Sequence, residues 1–125
     1  LFRASLFFAS TTMPYSDRLN SGIIRAALTL EETTQCSDVS SSLKSGTTAL
    51  INAFNSVNSG KSSLSLVAAS DKRKARVASA QELNFGDAAT AISISKDNVI
   101  AKFIDSASLS IDFIDHFMGS VSMVF

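Results

Sequence analysis

From Ser45 to Gly60 the chain carries no charged residue, yet the run has the spacing of a helix. Ala49, Leu50, Ile51, Ala53, Phe54 and Val57 cover about half of the helical wheel, whereas a surface helix shows an apolar stripe of roughly 100°. The other positions, Thr47, Thr48, Asn52, Asn55, Ser56 and Asn58, are polar but neutral. A helix over 45–58 with this composition is expected to be central and covered on more than one side. The turn before it is built of small residues around Leu43 and Lys44. Hydroxyls there can cap free N–H groups, and Gly46 would let another backbone come close. Helix starts also favour anions and nucleophiles, through unpaired amides and the helix dipole. Ser59-Gly60-Lys61 reads as the stop.

The rest of the chain alternates around this element. Leu6 to Ala9 is a short strand candidate ending in Ser10-Thr11-Thr12. Pro14 to Asp17 has turn and helix-cap chemistry, and Leu19, Ile23, Ile24, Ala27 and Leu28 then recur as one face of a peripheral amphipathic helix. Glu31 to Gln35 connects to a buried strand over Cys36–Ser42. After the uncharged helix, Leu64 to Ala69 is a strand that ends at Ser70-Asp71. Lys72-Arg73-Lys74-Ala75-Arg76 is a basic loop. Gly86-Asp87 opens a strand over Ala88–Ser95, where Ile92 and Ile94 alternate with serines. Lys96-Asp97-Asn98 reads as a hairpin-like turn into a long β-prone stretch, Val99 to Phe113. The order is β-α-β-α-β-loop-β-β: an α/β chain with a mixed sheet, parallel pairing early and antiparallel pairing late.

Composition narrows the class. A chain of 125 residues with 46% hydrophobic content is long enough for one domain with a core, residues 1–125, and too short for two. A formal net charge of zero gives no argument for nucleic acid or an anionic membrane as partner. The single cysteine, Cys36, excludes an internal disulfide and a cysteine-based zinc site, and fits a reducing, cytoplasmic setting. The apolar run Leu6–Ala9 is too short to span a membrane. Because the sequence opens on Leu1, it is expected to be a fragment of a longer protein.

Several blocks in this order resemble the N-terminal half of the thiolase superfamily. They are A-S-T-T-M-P-Y-S-D-R-L-N-S-G-I-I (Ala9–Ile24), S-L-K-S-G-T-T-A-L (Ser42–Leu50), L-V-A-A-S-D (Leu66–Asp71) and S-A-Q-E-L-N-F-G-D-A-A-T-A (Ser79–Ala91). S-I-D-F-I-D-H-F (Ser110–Phe117) adds to them. The branch they are most similar to is that of 3-hydroxy-3-methylglutaryl-CoA synthase-like proteins, neighbours of the ketoacyl synthase III enzymes. The resemblance implies a thiolase-like half-fold with a buried central helix, and an acyltransferase activity that joins acyl-CoA thioesters by Claisen condensation. Coenzyme A enters as part of the substrate, with no separate cofactor and no metal. It also implies that a cysteine at the start of the central helix is the nucleophile, because a helix start favours the thiolate. That position falls on Leu43, and the family's glutamate acid/base position reads Thr12. The family's catalytic histidine belongs to the second half of the fold. The implied partners are acyl-CoA, a second copy or second thiolase-like half, and a thiolase with an OB-fold, zinc-ribbon protein. A non-catalytic acyl-CoA-binding or scaffold protein and an inactive remnant remain as alternatives.

Candidate residues follow from chemistry as well as from the resemblance. Cys36 is a displaced nucleophile or a small buried residue. Ser42 could replace a thiol but needs an adjacent base, and with Ser45 it also suits a turn or cap. His116, the only histidine, could pair with Asp112 or Asp115 as a general base, or be structural. Thr11 and Thr12 end a strand where α/β proteins bind ligands, and Thr12, Ser45 and Gly46 are the expected substrate-side residues. Lys72, Arg73, Lys74 and Arg76 could meet phosphates or form a solvated loop. Gly86-Asp87 reads as a tight turn or a ligand-side loop.

Overall fold

The structure is a computed structural model that describes residues 3–40 and 42–111. Four strands and three helices follow one another: β1 (Ala4–Ala9), α1 (Asn20–Ala27), β2 (Gln35–Val39), α2 (Ser45–Asn58), β3 (Leu64–Asp71), α3 (Ala80–Asn84) and β4 (Ala88–Ser95). They form a single sheet of order β2-β1-β3-β4. β1 runs parallel to both of its neighbours, and β4 is antiparallel to β3. The three strands expected over Cys36–Ser42, Leu64–Ala69 and Ala88–Ser95 therefore share one mixed sheet.

β1 sits between two partners and two helices, so every residue from Ser5 to Ala9 is buried. Side chains alternate across a strand, which gives β1 two apolar faces. Phe7 and Ala9 join Val67, Ile94 and the α2 residues Ala49, Ala53 and Val57 in the core cluster. α1 packs over β2 and β1, whereas α2 touches all four strands. The path from β1 to β2 and then back past β1 to β3 places these two helices on opposite faces when both crossovers are right-handed. Ala49 and Ala53 have no exposed surface, and their small side chains let α2 lie close to the sheet. On the same face the buried Ser5 and Ser65 hydroxyls share a hydrogen bond of 2.5 Å, which satisfies two polar groups in an apolar layer.

α2 has the bounds that its composition gives, and it ends at Gly60, whose φ of +74° suits a residue without Cβ. Leu50, Ile51 and Phe54 are half-buried; Leu50 and Phe54 flank the core cluster, and Phe54 also stacks on Phe103.

Three expectations need correction. The strand placed over Cys36–Ser42 ends at Val39, because Ser42 turns the chain by accepting the Lys44 amide (3.1 Å) and the Ser45 amide (3.0 Å). The β-prone stretch Val99–Phe113 forms no strand over 99–111, and 112–113 lie outside the described residues. No neighbouring edge pairs with it, and residues 103–108 lie along α2 instead. The connection after the basic loop contains α3. Ser79 caps it by accepting the Glu82 amide at 3.3 Å, and the Glu82 carboxylate accepts the Ala78 amide at 2.7 Å.

Candidate functional site

The chain leaves β1 toward one face of the sheet and reaches β3 from the other. The carboxyl ends of β1 and β3, where the strand order reverses, are the place where α/β sheets bind ligands. Ser10-Thr11-Thr12 leave β1 there, and Asp71 closes β3 beside them.

One oxygen organises the cluster. Asp71 Oδ1 accepts hydrogen bonds from Ser10 Oγ (3.0 Å), Thr11 N (2.7 Å), Thr11 Oγ1 (3.0 Å), Thr12 N (3.1 Å) and Thr12 Oγ1 (3.0 Å). Burial pushes the Asp71 carboxyl up, but the donors from Thr11, Ser10 and Thr12 outweigh it and hold the group below its ordinary value. Thr12 Oγ1 also accepts the Lys72 amide at 3.0 Å. Its proton and a lone pair are thus both engaged within the chain. The Arg73 guanidinium reaches Thr11 Oγ1 at 3.4 Å and lies 5.1 Å from the centre of the Phe85 ring. Lys72, Lys74 and Arg76, in the same segment, are exposed. The cluster therefore combines an anchored carboxylate and three hydroxyls with the Arg73 guanidinium beside them. Thr12 carries no group that exchanges a proton near neutral pH, so it can orient a ligand but not act as an acid or base.

α2 starts from the same end of the sheet, since it follows the carboxyl end of β2. Leu43 is 65% exposed in the turn before it. The Ser45 hydroxyl donates to the Ser42 carbonyl, and Ser42 Oγ holds the Lys44 amide, so both serines serve the turn. The close backbone approach expected at Gly46 is not observed: a Cβ there would meet open space. The same is true of Gly86.

Cys36 stands apart. It pairs with Leu6 near the amino end of β2, away from the Ser10–Asp71 cluster. Burial pushes its thiol up, the Arg25 charge opposes this, and Asp38 adds to it. His116 lies outside the described residues. The structure thus gathers Thr11, Thr12 and Arg73 around Asp71, while Ser42, Leu43 and Ser45 stay together at the helix start.

Two carboxylates matter more than their sequence positions indicate. Asp71 was legible only as the last residue of a strand. Asp38, on β2, accepts the Asn20 amide (2.7 Å) and the Ser21 amide (2.7 Å), and so caps α1 from a different element. Burial raises its carboxyl, and the Ser21 and Asn20 donors bring it below the ordinary value. Among the described residues no cluster of three or more His, Cys, Asp or Glu side chains could hold a metal, and no helix is long and apolar enough to cross a membrane.

This mixed α/β fold is similar to the thiolase-like folds of 3-hydroxy-3-methylglutaryl-CoA synthases and β-ketoacyl-[acyl carrier protein] synthase III. The chain is similar to MvaS, solved in complex with 3-hydroxy-3-methylglutaryl coenzyme A, with 22% identity and a TM-score of 0.69 over 74% of this chain. It is similar to PksG, a 3-hydroxy-3-methylglutaryl-CoA synthase from Bacillus subtilis, with 26% identity and a TM-score of 0.65 over 71% of this chain. The β-ketoacyl-[acyl carrier protein] synthase III of Thermus thermophilus matches over 74% of this chain with 19% identity and a TM-score of 0.66. The match covers 22%, 22% and 29% of those three chains, so this chain spans only a part of each. No protein-family model and no curated protein matches the sequence.

Proposed function

We propose that this chain belongs to a protein that handles acyl-CoA thioesters in the manner of the 3-hydroxy-3-methylglutaryl-CoA synthases, and that its own contribution is to shape the acyl site rather than to attack the thioester. The observation that carries this reading is Leu43. It is exposed in the turn before the central helix, where the resemblance puts a nucleophilic cysteine, and a hydrocarbon side chain forms no acyl-enzyme. The fold and the polar cluster at the carboxyl ends of β1 and β3 support the acyl-CoA part. The engaged Thr12 hydroxyl and the distance of Cys36 from that cluster support the non-attacking part. Thr12, Ser45 and Gly46 remain the proposed substrate-side residues; Ser42 serves the turn and Cys36 lies away from the Ser10–Asp71 cluster, which supports no part for either in bond making.

Incubation with acetyl-CoA followed by intact-mass measurement tests the reading. The expected result is saturable, calorimetrically measurable binding of acetyl-CoA with no acetyl adduct. An adduct that survives in Leu43→Ala and disappears in Cys36→Ala would overturn it in favour of a condensing enzyme with a displaced nucleophile. Absence of any acetyl-CoA binding would leave the fold without this function. In the complementary variant, Leu43→Cys, the new thiol at the helix start should alkylate several-fold faster than Cys36, whose thiol burial pushes up.

A further inference from the structure

The basic segment Lys72–Arg76 ends three residues before a serine. Arg76 stands at position −3 from Ser79, Lys74 at −5, Arg73 at −6 and Lys72 at −7. Four basic residues against the single acid Glu82 give residues 72–85 a net charge of +3, in a chain whose own net charge is zero. A hydroxyl preceded at this spacing by basic side chains is what protein kinases with acidic substrate grooves select. Each guanidinium or ammonium group meets a carboxylate of the groove while the hydroxyl reaches the phosphoryl donor.

Spacing alone singles out no residue. Ser21, Thr47 and Ser79 each follow a basic residue by three places, after Arg18, Lys44 and Arg76. The fold separates them. Ser21 has no exposed surface, and its amide is bound to Asp38 at the start of α1. Thr47 is exposed, but it lies in the first turn of α2, which touches all four strands. A kinase holds its substrate extended, and straightening that turn disturbs the helix that carries Ala49 and Ala53 into the core. Ser79 meets neither obstacle. Residues 72–76 belong to no helix or strand, and Lys72, Lys74, Arg76 and Val77 are exposed. All five residues of α3 are exposed as well, so extending the chain through Ser79 uncovers no core. What it breaks is local: the Ser79 amide on the Arg76 carbonyl, the Glu82 amide on Ser79 Oγ at 3.3 Å, and the Ala78 amide on the Glu82 carboxylate. In the cap Ser79 Oγ is an acceptor, and among the described residues its own proton has no acceptor.

We propose that Ser79 is a phosphorylation site for a protein kinase that selects basic substrates, with ATP as the phosphoryl donor. Ser79 Oγ forms the new bond to the γ-phosphorus, and the bond from that phosphorus to the bridging oxygen breaks. ADP leaves with its electron pair, and the hydroxyl proton passes to the carboxylate base of the kinase. Arg76 is the residue that sets the specificity, and Lys74 adds to it. The phosphoryl group carries a charge of about −1.5 to −2 at pH 7, which offsets half or more of the positive excess of residues 72–85. The change falls in the segment that brings Arg73 to Thr11, so it is a reversible way to alter the charge beside the Ser10–Asp71 cluster.

The test is incubation of the folded chain with magnesium-ATP and the catalytic subunit of cyclic-AMP-dependent protein kinase, an enzyme that selects basic substrates. Intact mass counts the phosphoryl groups, and fragmentation places them. The expected result is one phosphoryl group, on Ser79. Ser79→Ala should abolish the transfer. Arg76→Ala should slow it by about tenfold or more, whereas Lys44→Ala should leave the rate unchanged. Thermal melts check that each variant is folded. No transfer to the folded wild type would overturn the assignment. Transfer to Ser21 or Thr47 in place of Ser79, or a rate on Ser79 that does not respond to Arg76→Ala, would overturn it equally. None of these outcomes bears on acyl-CoA binding, which is measured separately.

Discussion

A carboxylate that accepts five hydrogen bonds through one oxygen is a strong constraint on everything near it. Without Asp71, the amides of Thr11 and Thr12 and the hydroxyls of Ser10, Thr11 and Thr12 lose their common acceptor in a part-buried cluster. Asp71→Ala should cost about 1.5–3 kcal/mol in urea unfolding, the range for hydrogen bonds to a charged group. The linkage with pH has a definite sign. Asp71 and Asp38 are both held below their ordinary value of 3.8 in the folded chain. The stability they add is fully present above that value and is lost as the pH falls through the depressed folded values. Stability should therefore drop below about pH 4, and Asp71→Asn and Asp38→Asn should each flatten that drop in acid-unfolding curves. At this scale the sequence was only partly legible. Thr11 and Thr12 could be placed at a strand end from their neighbours alone. Their partner could not, because a hydrogen bond between positions about sixty apart leaves no local pattern. Asp38 shows the same limit. The chemistry around Ser16 and Asp17 predicted a cap close in sequence, yet α1 takes its cap from β2, since a fixed carboxylate on a strand serves two amides at once.

At the scale of elements, periodicity was a reliable guide where one face decided the outcome. α2 and β4 have the bounds read from their patterns, 45–58 and 88–95. Failures came where propensity alone was used. Val99 to Ile111 is rich in β-favouring residues, yet it leaves the open edge of β4 unpaired and 103–108 lie along α2 instead, so tertiary context overrides propensity. α3 was missed although Ser79 and Glu82 stand at capping-box spacing, because only five residues follow the pattern. The close seating of α2 makes a sharp test. Ala53 has no exposed surface and contributes to the core beneath the helix. Ala53→Leu should lift the helix from the sheet and lower stability by about 1–3 kcal/mol, seen as a reduced melting temperature. The same change at exposed Asn55 should be close to neutral.

For the whole molecule, the sheet order joins the two halves of the functional reading. The strand order reverses between β1 and β3, since β2 lies on one side of β1 and the connection from β2 returns to β3 on the other, so the fold sets a ligand side before any particular residue is chosen. Thiolase-like architecture was readable from several blocks in the right order, whereas the chemistry of the site depends on single positions such as Leu43 and Thr12. The central place of β1 also has a consequence for how the chain is made. β1 leaves the ribosome before β2 and β3, on which its burial depends and which follow about thirty and sixty residues later. Its apolar run Leu6–Ala9 must wait uncovered through most of the synthesis of this region, as long-range parallel pairing closes late. A nascent polypeptide stalled at Ser63 would expose that run to chaperones or to other emerging chains. Synthesis past Asp71 is the first point at which β1 can be enclosed from both sides and the threonines that follow it can find their carboxylate.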